Sequence, residues 1–383
     1  MCSNGYANHL KELIDEGVFN EERLDEAVLK VLELKNKLGL FEDPYHGASP
    51  EREAAECLRS ENLKVARAAA NESAVLLKND GILPLSKDIK KIALIGPYAD
   101  NHHIQGQWSC QGRSCETITV KQGIENLLPN VEVNCVIGCS NEYADLDKNG
   151  FAEAIFAARN ADAVILCLGE PQNYTGEGNS RADLDLPGVQ NELAERVIEA
   201  NANTVAVIFA GRPLVLTKLH NLAPAILDMW FPGNEGGNSV ADLIFGNINP
   251  SGKLSMSFPK AVGQCPIYYN RLNTGRPKSI ENDDKHIIYQ SNYVDCGNLP
   301  LYSFGYGLSY SEFVYENMEL SKNELSKDDK IKVRITILND SKFKGKEVVM
   351  LYMHDLVAST ARPIQQLIAF KKVDLNRKKE YRI

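Results

Sequence analysis

The sequence has no apolar run near the ~20 residues that a membrane-spanning helix requires. Its first residues, Met1 to Gly5, lead into a charged, helix-patterned stretch without the apolar segment of a secretory leader. The expectation is therefore a cytoplasmic location and no membrane partner. Basic residues are not in surplus: 42 Lys and Arg against 51 Asp and Glu give a net charge of −9. That removes the electrostatic case for nucleic acid or an anionic lipid surface. Metal-ligand spacing is missing too. The nine cysteines are scattered, and neither close pair, Cys110 with Cys115 or Cys135 with Cys139, has nearby histidines to complete a zinc site. They are expected to be free, mostly buried thiols of a reducing compartment. Nor is there a phosphate cradle, because the turn Gly96-Pro97-Tyr98-Ala99-Asp100 is neither a dinucleotide fingerprint nor a P-loop. Internal repeats and low-complexity segments are absent. A neutral small molecule is left as the best-fitting ligand, with no metal and no cofactor expected.

The 383 residues, 44% hydrophobic and 24% charged, suffice for two or three globular domains with real cores. Residues 8–40 carry two helical patterns, Leu10, Leu13 and Ile14, then Leu24, Ala27, Val28, Val31 and Leu32, with Asn20 placed as an N-cap. A Pro- and Gly-containing loop follows, from Phe41 to Pro50. Two helices cannot support a core of their own and are expected to end something larger. From residue 53 to about 260 short apolar runs alternate with helical stretches. An amphipathic helix over 61–78 precedes runs at 92–96, 131–137, 163–168, 204–210 and 225–230, with helices at 151–160, 189–202 and 237–245 between them. This predicts an α/β fold, a doubly wound and mostly parallel sheet covered on both faces. Residues 263–305 are polar and read as a wrapping loop or linker. Beyond Phe313 the period becomes two, as Ile331, Val333, Ile335 and Ile337 show, followed by the run 348–352. That is β-sandwich patterning, and the sequence stops inside what reads as a further strand.

Ligands of open α/β sheets sit beyond the carboxyl ends of the strands, where the strand order reverses. Two connections there are much longer than usual, 97–117 after the first predicted strand and 169–187 after the third. A strand order 2-1-3-4-5 would place them on either side of the reversal. The second loop contains Glu170, Glu177, Asp183, Asp185 and Arg181 among three glycines, a set suited to sugar hydroxyls and acid/base work. The same residues would equally serve an exposed acidic loop with a structural Arg–Asp pair. His102 and His103 read as solvent-facing histidines rather than ligands, Arg212 as the shaper of a turn, and Asp183 and Asp185 as caps for the following helix.

At this point a series of motifs carries a resemblance. Asn71 to Asp80 with Leu83-Pro84-Leu85, Ile95-Gly96-Pro97 with Ala99-Asp100, Gly106-Gln107-Trp108-Ser109 and Gly169-Glu170 come first. Gly211-Arg212-Pro213-Leu214, Trp230-Phe231-Pro232-Gly233 with Glu235-Gly236-Gly237, and Asn249 to Leu254 follow in order. The chain resembles the β-glucosidase and β-xylosidase group of family 3 glycoside hydrolases along nearly its whole length. Tyr302 to Tyr310, Gly345 to Val349 and Arg362-Pro363 resemble that family's fibronectin type III-like domain.

The resemblance implies the tail helices of a truncated (β/α)8 barrel at 1–45, a linker at 46–60 and an α/β sandwich domain at 61–262. A wrapping loop at 263–305 and an incomplete fibronectin type III-like domain at 306–383 would complete the chain. It implies a retaining exo-β-glycosidase, β-glucosidase-like, acting on a β-linked oligosaccharide or an aryl or alkyl β-glycoside. Glu177, in Thr175-Gly176-Glu177-Gly178, matches the family's general acid/base. Trp108, Glu170 and Arg181 are the expected substrate-binding residues, Trp108 as an aromatic platform. The nucleophilic aspartate belongs to the barrel and has no match here, so this chain alone is expected to be inactive, its missing barrel being a required partner. The alternative is a non-catalytic carbohydrate-binding or assembly module derived from such an enzyme.

Overall fold

The computed structural model describes residues 4–376, other than 284 and 327, and the backbone of 380–382. The chain divides between residues 62 and 63 into two compact units. The first is helical. Helix α1 (Gly5–Asp15) and helix α2 (Glu21–Lys37) fall where the apolar spacing places them, followed by α3 (Pro50–Glu56). Asn20 caps α2 as its position predicts, its side chain accepting from the Glu22 N–H at 2.8 Å. Ser49 does the same for α3 through Arg52, ahead of Pro50 at the first helical position. No residue of α1, α2 or α3 is buried.

In the second unit the helix predicted over 61–78 stops early. Helix α4 (Ser60–Ser73) ends before Ala74, and β1 (Val75–Asn79) is a strand. The reason is two-sided burial. Val75 and Leu77 enter the core on one face of the sheet, while Ala74 and Leu76 enter the core on the other. Only an extended chain alternates its side chains in that way. Five more strands complete the sheet: β2 (Lys91–Ile95), β3 (Glu132–Val136), β4 (Ala163–Gly169), β5 (Thr204–Phe209) and β6 (Ala225–Asp228). The order is β1-β6-β5-β4-β2-β3, all parallel apart from β1, which pairs antiparallel with β6. The five parallel strands thus take the order 2-1-3-4-5. Every residue of β4 and of β5 is buried, as expected for strands covered on both faces. Helices α5 (Val120–Leu127), α6 (Phe151–Arg159), α7 (Gln190–Ala200), α8 (Thr217–Leu222) and α9 (Gly236–Ile244) supply the cover.

Residues 263–305 hold only short 3-10 turns and isolated bridges among the described positions. Side chains organise this wrapping segment instead. Gln264 Nε2 donates to the carbonyls of Gly297 and Leu299, and Asp283 accepts from the N–H groups of Asn298 and Leu299. The β-rich end follows with β7 (Phe313–Leu320), β8 (Val333–Asn339), β9 (Gly345–Met353), β10 (Gln366–Leu375) and β11 (Glu380–Arg382). They form a three-stranded antiparallel sheet, β11-β8-β7, and the pair β10-β9. Ile337, Val373 and Leu375 are its buried centre.

The cysteines depart from expectation. Of the eight described, only Cys139 and Cys167 are buried, while Cys57, Cys110, Cys115 and Cys265 are exposed. Cys110, Cys115 and Cys265 lie in connecting segments outside the regular helices and strands, where little packs against them. Burial pushes the Cys135 thiol up to about 11 and the Cys139 thiol up to about 12.

Candidate active site

The reversal of strand order lies between β2 and β4, and the two long connections leave their carboxyl ends. The first connection runs from Gly96 to Thr119. The second runs from Glu170 to Val189. They meet at Gly176. This residue has φ of +99°, and a Cβ there would stand 2.7 Å from Cγ of Gln107 and 3.9 Å from Nε1 of Trp108. Glycine therefore permits both the left-handed turn and the close approach. Trp108, in the 3-10 turn Gln107–Ser109, is 67% exposed. Glu177 follows directly. It is exposed, and among the described residues nothing makes a hydrogen bond or ion pair with its carboxyl group.

Glu170 is the opposite kind of acid. It stands one residue beyond β4 with a fully buried side chain, and both oxygens are occupied. Oε1 accepts from the Gly211 N–H and from Arg212 Nε, each at 3.1 Å, and Oε2 accepts from Arg181 Nη1 at 2.9 Å. Two guanidinium groups and a main-chain N–H neutralise the buried charge. Sequence reasoning placed Glu170 and Arg181 among the substrate-binding residues. In the structure the Glu170 carboxylate has no exposed surface, and Arg181, 9% exposed, places its second arm on the Asp185 carbonyl at 2.8 Å. Both build the loop. The reading of Asp183 and Asp185 as helix caps is corrected. Helix α7 starts from Val189 without a side-chain cap, while Asp183 accepts from the Asp185 N–H and from the Tyr143 hydroxyl.

Several residues of this site carried no signal in the sequence. Gln190, fully buried, closes the base of the loop, accepting from Gly169 N–H and donating to the carbonyls of Gly169 and Pro187. The Tyr98 hydroxyl donates to the Glu170 carbonyl, and its ring stacks on Phe209 at 4.9 Å. Asn179 Nδ2 donates to the carbonyls of Asn173 and Thr175. Tyr143, Tyr174, Asn173, Arg181 and Asp183 line an open cavity of about 470 Å³ beside the loop. His102 packs its Nδ1 against the Thr117 carbonyl at 2.8 Å. No group of three or more His, Cys, Asp or Glu side chains among the described residues could hold a metal ion. What the arrangement can do chemically is present one unpaired carboxyl group beside one exposed indole face, on a loop anchored by buried charge.

Comparison with known proteins bears on this site. Residues 74–310 match the glycosyl hydrolase family 3 C-terminal domain, and residues 347–383 match the fibronectin type III-like domain. The chain is 38% identical to the periplasmic β-glucosidase of Salmonella typhimurium, over 98% of this chain and 52% of that protein. It is 35% identical to a β-xylosidase of Formosa agariphila, over 97% of this chain and 50% of that one. Among solved structures, the β-glucosidase of Listeria innocua in complex with isofagomine is 43% identical, with a TM-score of 0.89 over 100% of this chain and 52% of that chain. A mutant of the same enzyme in complex with laminaribiose is 44% identical with a TM-score of 0.90, again over 100% of this chain and 52% of that one. The chain thus spans about half the length of the relatives it matches. It belongs to family 3 of the glycoside hydrolases.

Proposed function

We propose that this chain supplies the general acid/base of a retaining exo-β-glycosidase, β-glucosidase-like in its substrate, and that Glu177 is that group. One observation carries the reading: Glu177 is an exposed carboxyl group without a partner among the described residues, at the tip of the long loop by the strand-order reversal, next to the exposed Trp108. The substrate would be a β-linked oligosaccharide or an aryl or alkyl β-glycoside. Relatives named β-glucosidase and β-xylosidase, and a neighbour solved with laminaribiose, support that substrate class. Glu177 would protonate the departing glycosidic oxygen and then take a proton from the attacking water. Its partner would be a nucleophilic aspartate of a barrel domain, which retaining chemistry requires about 5–5.5 Å from the acid. Trp108 would offer the apolar face of its indole ring to the leaving sugar.

The test joins this chain to a family 3 barrel and compares leaving groups. General acid catalysis typically contributes about 10²–10⁴-fold. Glu177→Ala should therefore lose kcat/KM of that order on an alkyl β-glucoside and little kcat/KM on a dinitrophenyl β-glucoside, whose turnover becomes limited by hydrolysis of the glycosyl-enzyme. Added azide should restore turnover and yield the glycosyl azide. Equal loss of kcat/KM on both substrates without azide rescue would remove Glu177 from the role. The exposed indole also favours a second reading, a binding module. Titration of the 383-residue chain with cellobiose separates the two: binding abolished by Trp108→Ala, together with no turnover after a barrel is supplied, would select the module.

A further inference from the structure

An acid must be held within about 0.5 Å of its productive position, and loops hold side chains less well than helices or strands do. Glu177 sits at a loop tip, so something must fix that tip to the sheet. We propose that Arg212, seated on the buried carboxylate of Glu170, is the positioning residue for Glu177. This inference rests on the acid/base assignment of Glu177. Arg212 Nη2 donates to two main-chain carbonyls, those of Tyr174 and Asn179, the latter at 3.1 Å. One lies three residues before Glu177 and the other two residues after it, so a single guanidinium grips both sides of the turn that carries the acid.

Arg212 is itself held. Its Nε lies on Glu170 Oε1, and Arg181 on the other oxygen of Glu170 reaches the Asp185 carbonyl farther down the loop. Glu170 in turn is fixed to the sheet. Its N–H donates to the Phe209 carbonyl at the end of β5, and its carbonyl receives the Tyr98 hydroxyl. The path from β4 to the tip therefore runs Glu170, Arg212, then the carbonyls of Tyr174 and Asn179. Only a planar guanidinium has diverging donors for all three acceptors; a lysine ammonium is a point charge and cannot serve them together. The Arg212 side chain is 20% exposed and its donors already face protein acceptors. It acts on catalysis through Glu177.

The test uses Arg212→Lys, which keeps the charge, in the chain joined to a family 3 barrel. A misplacement of about 1 Å can cost on the order of 10²-fold. We expect kcat/KM on an alkyl β-glucoside to fall about that much, with kcat/KM of a dinitrophenyl β-glucoside little changed. Placed on Glu177→Ala, the same substitution should add no further loss, because both act through one group. If Glu177→Ala alone spares the alkyl glycoside, the acid/base assignment fails. If Glu177→Ala behaves as an acid/base variant while Arg212→Lys keeps the wild-type ratio between the two substrates, the positioning role is overturned and the assignment stands. A simple folding defect would lower both substrates together and would also overturn it. Amide exchange in the 383-residue chain gives a second readout. Arg212→Lys should speed exchange at 174–180 and leave β4 unchanged; unchanged exchange at 174–180 would overturn the proposal.

Discussion

Asp228 closes β6 with a carboxyl group sealed from water. Its Oδ1 accepts from the Trp230 N–H at 3.2 Å, and Oδ2 has no hydrogen-bond partner among the described residues. Burial pushes its pKa from the ordinary 3.8 up to about 8, with the Trp230 N–H as the opposing influence. Between those two values the folded chain keeps a proton that the unfolded chain has released. Stability from this group is therefore greatest at low pH, declines as pH rises from 3.8 to about 8, and is flat above. Asp228→Asn keeps the acceptor for Trp230 and removes the titration. The variant and the wild type should melt at similar temperatures near pH 4, and the variant should lead increasingly up to pH 8. A difference that does not change with pH would mean that the carboxyl group is solvated when folded. The overlong loops that carry Glu177 and Trp108 were legible in the sequence, because loop length needs no tertiary partner to be noticed. What the sequence could not show for Glu170 and Arg181 is their burial, because it displays charge but not packing. One partner of the buried Glu170 carboxylate, Arg212, lies 42 residues away.

Helices α5 and α9 show how one missing atom sets the spacing of two elements. At Gly123 a Cβ would stand 2.0 Å from the Gly237 carbonyl oxygen, and at Gly237 it would stand 1.9 Å from the Thr119 carbonyl oxygen. The clash would be with backbone, which cannot swing aside as a side chain can. Gly123→Ala should therefore force the helices apart, at a cost of about 1–3 kcal/mol or more. Thermal melting should show a clear drop for Gly123→Ala and almost none for Gly263→Ala, where nothing lies within 4 Å. Equal melting of the two variants would contradict the contact. The same residue economy hid β1 from sequence inspection. Ala74-Val75-Leu76-Leu77 continues the apolar character of α4, and four residues are too few to separate a period of 2 from one of 3.6. The parallel strands were legible because each falls on a short stretch bounded by turns, and in β4 and β5 every residue of that stretch is buried. Their observed order, 2-1-3-4-5, is the one that puts the two long loops on either side of the reversal.

The two units of the chain differ in what protects them. In residues 63–383 the main sheet lies between two large cores, and Lys253 with Glu347 and Glu72 with Lys346 and Lys372 tie β9 and β10 to the α/β part. In residues 1–62 the helices are stapled by local caps, worth about 1 kcal/mol each, and by i,i+3 or i,i+4 ion pairs, each worth only a few tenths of a kcal/mol. Helix α1, at 11 residues, is below the length that holds a helix in water without tertiary packing. Amide exchange should separate the two sharply, with α1 and α2 exchanging orders of magnitude faster than β4 and β5. Helix α2 also leaves Val28, Leu29, Val31, Leu32 and Leu34 exposed, an apolar face of the kind that marks a contact surface. Isolated in water, the chain should self-associate through it. Sedimentation velocity should show mass rising with concentration. The double substitution Val28→Glu with Leu32→Glu, on one helical face, should return the chain to a monomer without lowering the melting temperature of the 63–383 unit. A concentration-independent monomer in the wild type would mean that these side chains are covered in solution, and that α2 packs against protein rather than water.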